Sequence, residues 1–340
     1  KRFACPGKEW QPRSMASLER ATLLLPRARD FLPLLFAVAA LLPVLWPLGA
    51  RASLTAAAMT ASPTGNQMVA VTGATGKLGR KVVEQLVERG YSVRCLVRRD
   101  PTGVQPSNAP SASPRQVAAW LDNLPGVEVV PGDVISPDRI KVLLRGCSAC
   151  LAVHGARRQT KLSDFLPWTD PERDPAHSRR VNCDGIANII EASRASGGKC
   201  RRIVRITGKG ESPWSLFSVL INGLGSMAKA FNYEGERLLR KAQDIDYTII
   251  RPGVMGREDE KSPVASLALS DNGGDLKVSP ISYSKVAELC VRCLEFPNAA
   301  RSTLCAMTVP AGEGEESWEP LLAKVTADTR SFPGGELLNQ

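Results

Sequence analysis

The chain has 340 residues, 43% hydrophobic and 23% charged, the composition of an ordinary globular protein with ample material for a core. Its net charge of +10 invites a nucleic-acid reading, but residues 1–65 hold eight Lys or Arg against three Asp or Glu and carry half the excess, and no basic patch interleaved with aromatics appears. Nine cysteines without the spacing of a small stapled domain, and only two histidines, argue against a disulfide framework, a metal centre and Ser-His chemistry.

In chain order, Phe31 to Ala50 is an uncharged run of 20 residues, long enough to span a membrane. Pro33, Pro43 and Pro47 interrupt it, and Ala50-Arg51-Ala52 offers a small-residue cleavage pattern, which favours a signal-type segment over a retained anchor. The acid-free, Ser/Thr/Ala-rich stretch that follows is transit-like, so residues 1–65 resemble the two-part plastid address of algae. The competing expectation is a membrane anchor through residues 31–50. The first methionine is Met15, which leaves residues 1–14 open as an addition to the natural product.

Met68 to Val71 reads as a strand, and Lys77 to Arg89 as a helix with Leu78, Val82, Val83, Leu86 and Val87 on one face. Gly90 stops the helix, and Tyr91 to Val97 is a second strand. From the first strand into the helix run Gly73, Ala74, Thr75, Gly76, Lys77, Leu78 and Gly79, the expected phosphate turn of a dinucleotide site. Gly73 permits the tight turn, Gly76 lets backbone approach a pyrophosphate, and Gly79 lets the helix pack closely. An NAD site wants an acid at the end of the second strand. This chain has Arg98 and Arg99 there, with Lys77 and Arg80 near the turn, so NADP(H) is expected in preference to NAD(H).

A polar insert follows Arg99, and Val127 to Val130 is the third strand. Asp133 just beyond it is placed either to bond an adenine amino group, with Val134 against the ring, or to cap a turn. Ile140 to Arg145 reads as a helix, and Ala149 to Val153 as an apolar fourth strand ending at His154-Gly155. Residues 157–180 form a polar insert in which Trp168 either covers a pocket or lies exposed. Val181 to Ala195 is a helix, Ile203 to Ile206 a strand ending at Thr207, and Tyr247 to Ile250 a strand ending at Arg251-Pro252-Gly253. Thr303 to Val309 is the last strand, and Trp318 to Ala327 a closing helix. The expected fold is therefore α/β, a doubly wound parallel, Rossmann-like sheet in a single domain over residues 66–330, with inserts at 157–180 and 211–232 and a tail at 331–340. Ligand is expected at the strands' carboxyl ends, where Gly73, Arg98, Asp133, His154, Thr207 and Pro252 gather.

The segments TGATGKLGR, PGDV, VNCDGIANIIEAS and E-x-L-L-R followed by DYTIIRPG resemble the short-chain dehydrogenase/reductase superfamily over about residues 68–327. The resemblance is to its atypical, NmrA-like branch of NAD(P)H-binding proteins. It implies that Asp133 contacts adenine, Arg98 the 2′-phosphate, and that His154 and Gly155 lie along the cofactor, with Pro252 and Gly253 bordering the nicotinamide. Reducing members use a Tyr with a Lys four residues later. Here the candidates are Tyr233, Arg237 at the Lys spacing, and Thr207 in place of the usual Ser; an Arg keeps its proton and cannot relay it. Anchoring on Glu236 instead puts the family's Tyr at Ala228 and its Lys at Asn232, so the Lys is absent in either register.

The apolar stretch 213–231 would roof an apolar pocket, face a membrane or protein partner, or add to the core. Cys147/Cys150 and Cys290/Cys293 have paired spacing but sit in a strand and on a helix face, where cysteine behaves as a small hydrophobe. Two functions stand: an NADP-dependent oxidoreductase acting on a small apolar carbonyl or olefin, or a non-catalytic NADP(H)-binding redox sensor or assembly scaffold in the plastid.

Overall fold

Short runs rich in Val, Ile, Leu and Ala, unbroken by turn residues, form the middle of a sheet in the computed structural model, which describes residues 67–159, 161, 170–208, 228–256, 265–274 and 276–329. They are β1 (Met68–Thr72), β2 (Ser92–Val97), β3 (Val127–Pro131), β4 (Ala149–Ala152), β5 (Arg202–Ile206), β6 (Asp246–Pro252) and β10 (Ser302–Val309). All seven run parallel, and β8 (Ser266–Ser270) closes one edge antiparallel, in the order β3-β2-β1-β4-β5-β6-β10-β8. A small parallel pair, β7 (Val254–Gly256) with β9 (Pro280–Ser282), lies apart from that sheet.

Helices cover both faces, which is why the strands are apolar on both sides. On one face α1 (Lys77–Glu88), α2 (Pro114–Asp122), α6 (Tyr283–Glu295) and α7 (Glu319–Leu322) bury Val82, Val83, Leu86, Leu121, Leu289 and Trp318. On the other, α3 (Pro137–Leu144), α4 (Gly185–Ala195) and α5 (Ala228–Lys241) bury Ile140, Leu143, Ile186, Ile189 and Leu239. Each such aliphatic side chain contributes about 1.5–3 kcal/mol by leaving water. The doubly wound fold and its parallel sheet agree with the sequence reading.

Several details differ from it. Helix α2 was not anticipated, although Ser113 and Gln116 cap it reciprocally and Pro114 opens it. Strand β8 was not anticipated either. The closing helix is one turn, Glu319–Leu322, rather than Trp318 to Ala327; Trp318 is instead a fully buried plug whose indole donates to the Lys285 carbonyl at 2.9 Å. A π-helical turn, Arg179–Asp184, leads into α4.

The apolar run 31–50, the transit-like stretch, Trp168, residues 213–227 of the apolar stretch and the tail 331–340 lie outside the described residues. Among the described residues no helix is long and apolar enough to cross a membrane.

Candidate functional site

β1 and β4 are neighbours whose connections leave in opposite directions, so a crevice opens between the loops that follow them. The turn after β1 forms one wall. Gly73 has φ +77°, and a Cβ there would come within 2.7 Å of the His154 Cα, so both the backbone and the neighbouring loop require glycine. A Cβ on Gly79 would collide with the Gly73 carbonyl, which fixes the helix against the turn. Gly76 caps α1 with no side-chain bond to its first N–H groups, leaving them available to an anion. Ala74 and Leu78 are buried in the core, Thr75 is half-buried and Lys77 exposed, so Ala74 and Leu78 can serve a ligand only through backbone.

Arg98 and Arg99 follow β2, exposed and without a hydrogen bond or ion pair among the described residues. The first acid, Asp100, is taken up by its own turn: it accepts from the Thr102 N–H at 2.8 Å and hydroxyl at 2.5 Å, which hold its carboxyl below the usual range. Arg80 donates to Asn108 and to the Ala109 carbonyl, pinning the insert after β2 onto α1. Asp133 accepts from the Ile135 N–H at 3.3 Å, the turn-capping role, while Val134 is buried beside Gly185.

The second wall is the loop after β4. His154 is buried, with Nδ1 2.6 Å from the Thr72 hydroxyl, while Nε2 makes no hydrogen bond of normal geometry. Burial and then the Arg205 charge hold its pKa well below 6.5, offset in part by the Val181 backbone, so the ring is neutral. Gly155 faces open space. Asn182, on the π-helical turn, accepts from the Ala156 N–H at 2.9 Å and donates to the Ala228 carbonyl at 3.2 Å, tying this loop to the start of α5.

Beyond β5 and β6 lies a buried charge cluster that sequence reasoning missed. Thr207 donates its hydroxyl to Glu236 at 2.6 Å. The same carboxylate accepts from Arg251 at 2.6 and 3.2 Å and from Arg240 at 3.1 Å. Burial alone would raise the Glu236 pKa, but Arg251 and Arg240 outweigh it and hold the group ionised. Arg205 donates to the Ala152 and His154 carbonyls at 3.1 and 2.7 Å and to Asn232 at 3.0 Å. Burial pushes Arg205 down to about 10. An arginine inside an apolar strand was the available signal, since a buried charge needs partners.

Tyr233 is buried on α5, and the cation over its ring, at 5.4 Å, is Arg251. Arg237, the residue at lysine spacing, pairs with Glu234 at 2.7 Å. Pro252 is buried, and a Cβ on Gly253 would collide with the Ser279 carbonyl, so packing of β7 against β9 accounts for that glycine. The thiols of Cys150 and Cys290 are fully buried, and burial pushes Cys147 up to about 11 and Cys293 to about 12. No group of three His, Cys, Asp or Glu among the described residues is placed to hold a metal ion.

Comparison with known proteins agrees with this fold. A family model described as NAD(P)H-binding matches residues 73–297. The ceramide reductase of Caulobacter vibrioides is 36% identical over 132 residues, 39% of this chain and 32% of that protein. Protein TIC 62, chloroplastic, of Pisum sativum is 24% identical over 275 residues, 79% of this chain and 48% of that one. The chain thus spans 32% and 48% of the length of these two relatives. A short-chain dehydrogenase/reductase of Veillonella parvula, solved in complex with NADP, shares the fold with a TM-score of 0.52 at 14% identity, over 74% of this chain and 98% of that one.

Proposed function

The chain belongs to the NAD(P)H-binding family, in the atypical, NmrA-like branch of the short-chain dehydrogenases/reductases, and from that premise we propose that it binds NADP(H) without reducing carbonyls by a hydroxyl–tyrosine–lysine relay. One observation carries the second half: Thr207 spends its single hydroxyl proton on Glu236 at 2.6 Å. A hydroxyl has one hydrogen to donate, and a substrate carbonyl needs that donation to be oriented. Nor does either lysine position hold a lysine: Asn232 is engaged by Arg205 and Arg237 by Glu234. The preference for the 2′-phosphate rests on exposed Arg98 and Arg99, and on an Asp100 carboxylate already bonded within its own turn.

In this reading the protein works in the plastid as a redox sensor or assembly scaffold. The signal-plus-transit pattern of residues 1–65 and the similarity to a chloroplastic relative support the location. The apolar stretch 213–231 is the segment offered to a protein partner. The other reading, a reductase of small apolar carbonyls or olefins, draws on the similarity to a ceramide reductase. The two separate on NADPH oxidation across a panel of ketones, enones and long-chain keto-amides. Binding without turnover is expected. Turnover that Tyr233→Phe abolishes while binding is unchanged would establish the reductase instead.

A further inference from the structure

The loop after β4 is fixed on both sides of one residue. Before it, Arg205 donates to the His154 carbonyl at 2.7 Å, and the Ala156 N–H donates to Asn182 at 2.9 Å. After it, Arg158 donates to Asp174 at 2.7 Å. Between them stands Arg157, exposed, without a hydrogen bond or ion pair among the described residues. Its Nη2 lies 3.8 Å from where a Cβ on Gly76 would be. Among the described residues, such a Cβ would otherwise meet only the Gly73 carbonyl of its own turn within 4 Å, its chain neighbours and the backbone of its own helix aside. A cation held by an anchored loop over a bare glycine and the uncapped start of a 12-residue helix faces the place where an anion gains most.

We propose that Arg157 closes over the pyrophosphate of the bound dinucleotide from the opposite wall of the crevice, pairing with it as a planar fork while the α1 N–H groups hold the other side. The inference rests on the dinucleotide reading above and adds a residue to it that does not distinguish NADP from NAD. Both carry the same pyrophosphate, so Arg157 sets affinity, and the choice between the two is left to Arg98 and Arg99.

Calorimetric titration of the full chain with NADP+ and with NAD+, for the native protein, Arg157→Gln and Arg157→Lys, tests this. Arg157→Gln is expected to weaken both dinucleotides by the same factor, roughly tenfold, as loss of a charged hydrogen bond should. Arg157→Lys, which keeps charge but loses the fork, should fall between. The side chain makes no hydrogen bond or ion pair among the described residues, so the melting temperature should not move. Unchanged affinity for both dinucleotides overturns the assignment. Loss confined to NADP+ also overturns it, by placing Arg157 at the 2′-phosphate. A native chain that binds neither dinucleotide removes the cofactor reading itself, a failure distinguishable from the other two.

Discussion

Arg251 and Glu236 meet as a two-point ion pair, with Nη2 2.6 Å and Nε 3.2 Å from the carboxylate oxygens and both side chains all but sealed from water. Glu236 is thereby the hub joining β6, α5 and Thr207. Removing its charge leaves two arginines, Arg251 and Arg240, facing a neutral group in a dry site. Glu236→Gln is expected to cost about 3–5 kcal/mol in a urea melt at neutral pH. Because the folded-state pKa lies below that of the unfolded chain, this stability is present above the unfolded carboxylate range and is lost as pH falls through the folded value. The variant should therefore show a shallower acid limb than the native protein. Equal stability at neutral pH would contradict the hub role.

The glycines of the phosphate turn separate folding from binding. In Gly79→Ala the new methyl meets the Gly73 carbonyl, so the helix must shift; a cost of about 1–3 kcal/mol is expected, read as a lowered melting temperature. In Gly76→Ala the new methyl lies 3.1 Å from that carbonyl and otherwise points toward Arg157, so folding should change by about 1 kcal/mol or less. It would nonetheless stand where the pyrophosphate approaches, and dinucleotide affinity should drop at least roughly tenfold. The paired measurements are thermal unfolding and calorimetric titration; equal binding by Gly76→Ala and the native chain would place the phosphate elsewhere.

Arg98→Gln tests cofactor choice. Arg98 makes no hydrogen bond or ion pair among the described residues, so stability should hold, while affinity for NADP+ should fall by about tenfold and that for NAD+ stay constant. Fluorescence titration with both dinucleotides reads this directly. Equal loss of both would move Arg98 away from the 2′-phosphate.

His154 gives a second pH dependence, separate from that of Glu236. Its folded-state pKa is well below 6.5, so below about pH 6.5 the unfolded chain takes up a proton that the native ring refuses. Stability should decline from about pH 6.5 toward pH 5, before the carboxylates titrate. His154→Gln should flatten that interval in urea melts taken at half-unit steps. The same slope in native and variant proteins would show that the ring is charged or solvated.

Much of this was legible in residues 68–99, because strand, turn and helix there are set by neighbours in the chain: Gly73, Gly76 and Gly79 each meet something within the turn or at its rim. The Ser113–Gln116 capping box that starts α2 was equally local and could have been read. The edge strand β8 could not, since Ser266–Ser270 has only five residues and is defined by its partner β10, some 40 positions later. The charge cluster was hidden for a stronger reason. Arg205 is stable only because the carboxyl end of β4, the His154 carbonyl beyond it and the side chain of Asn232 converge on it, and Arg251 only because Glu236 stands across from it. Those pairings exist in three dimensions alone. The spacing Tyr233–Arg237 suggested a partnership along one helix, but the cation that reaches the ring comes from the adjacent strand.

Calorimetric titration of the purified full chain with NADP+ and NAD+ under identical conditions tests the central claim most directly. NADP+ is expected to bind at least roughly tenfold more tightly, with one dinucleotide per chain. Binding of neither, or tighter binding of NAD+, would contradict an arginine-selected dinucleotide in the crevice between Gly76 and His154.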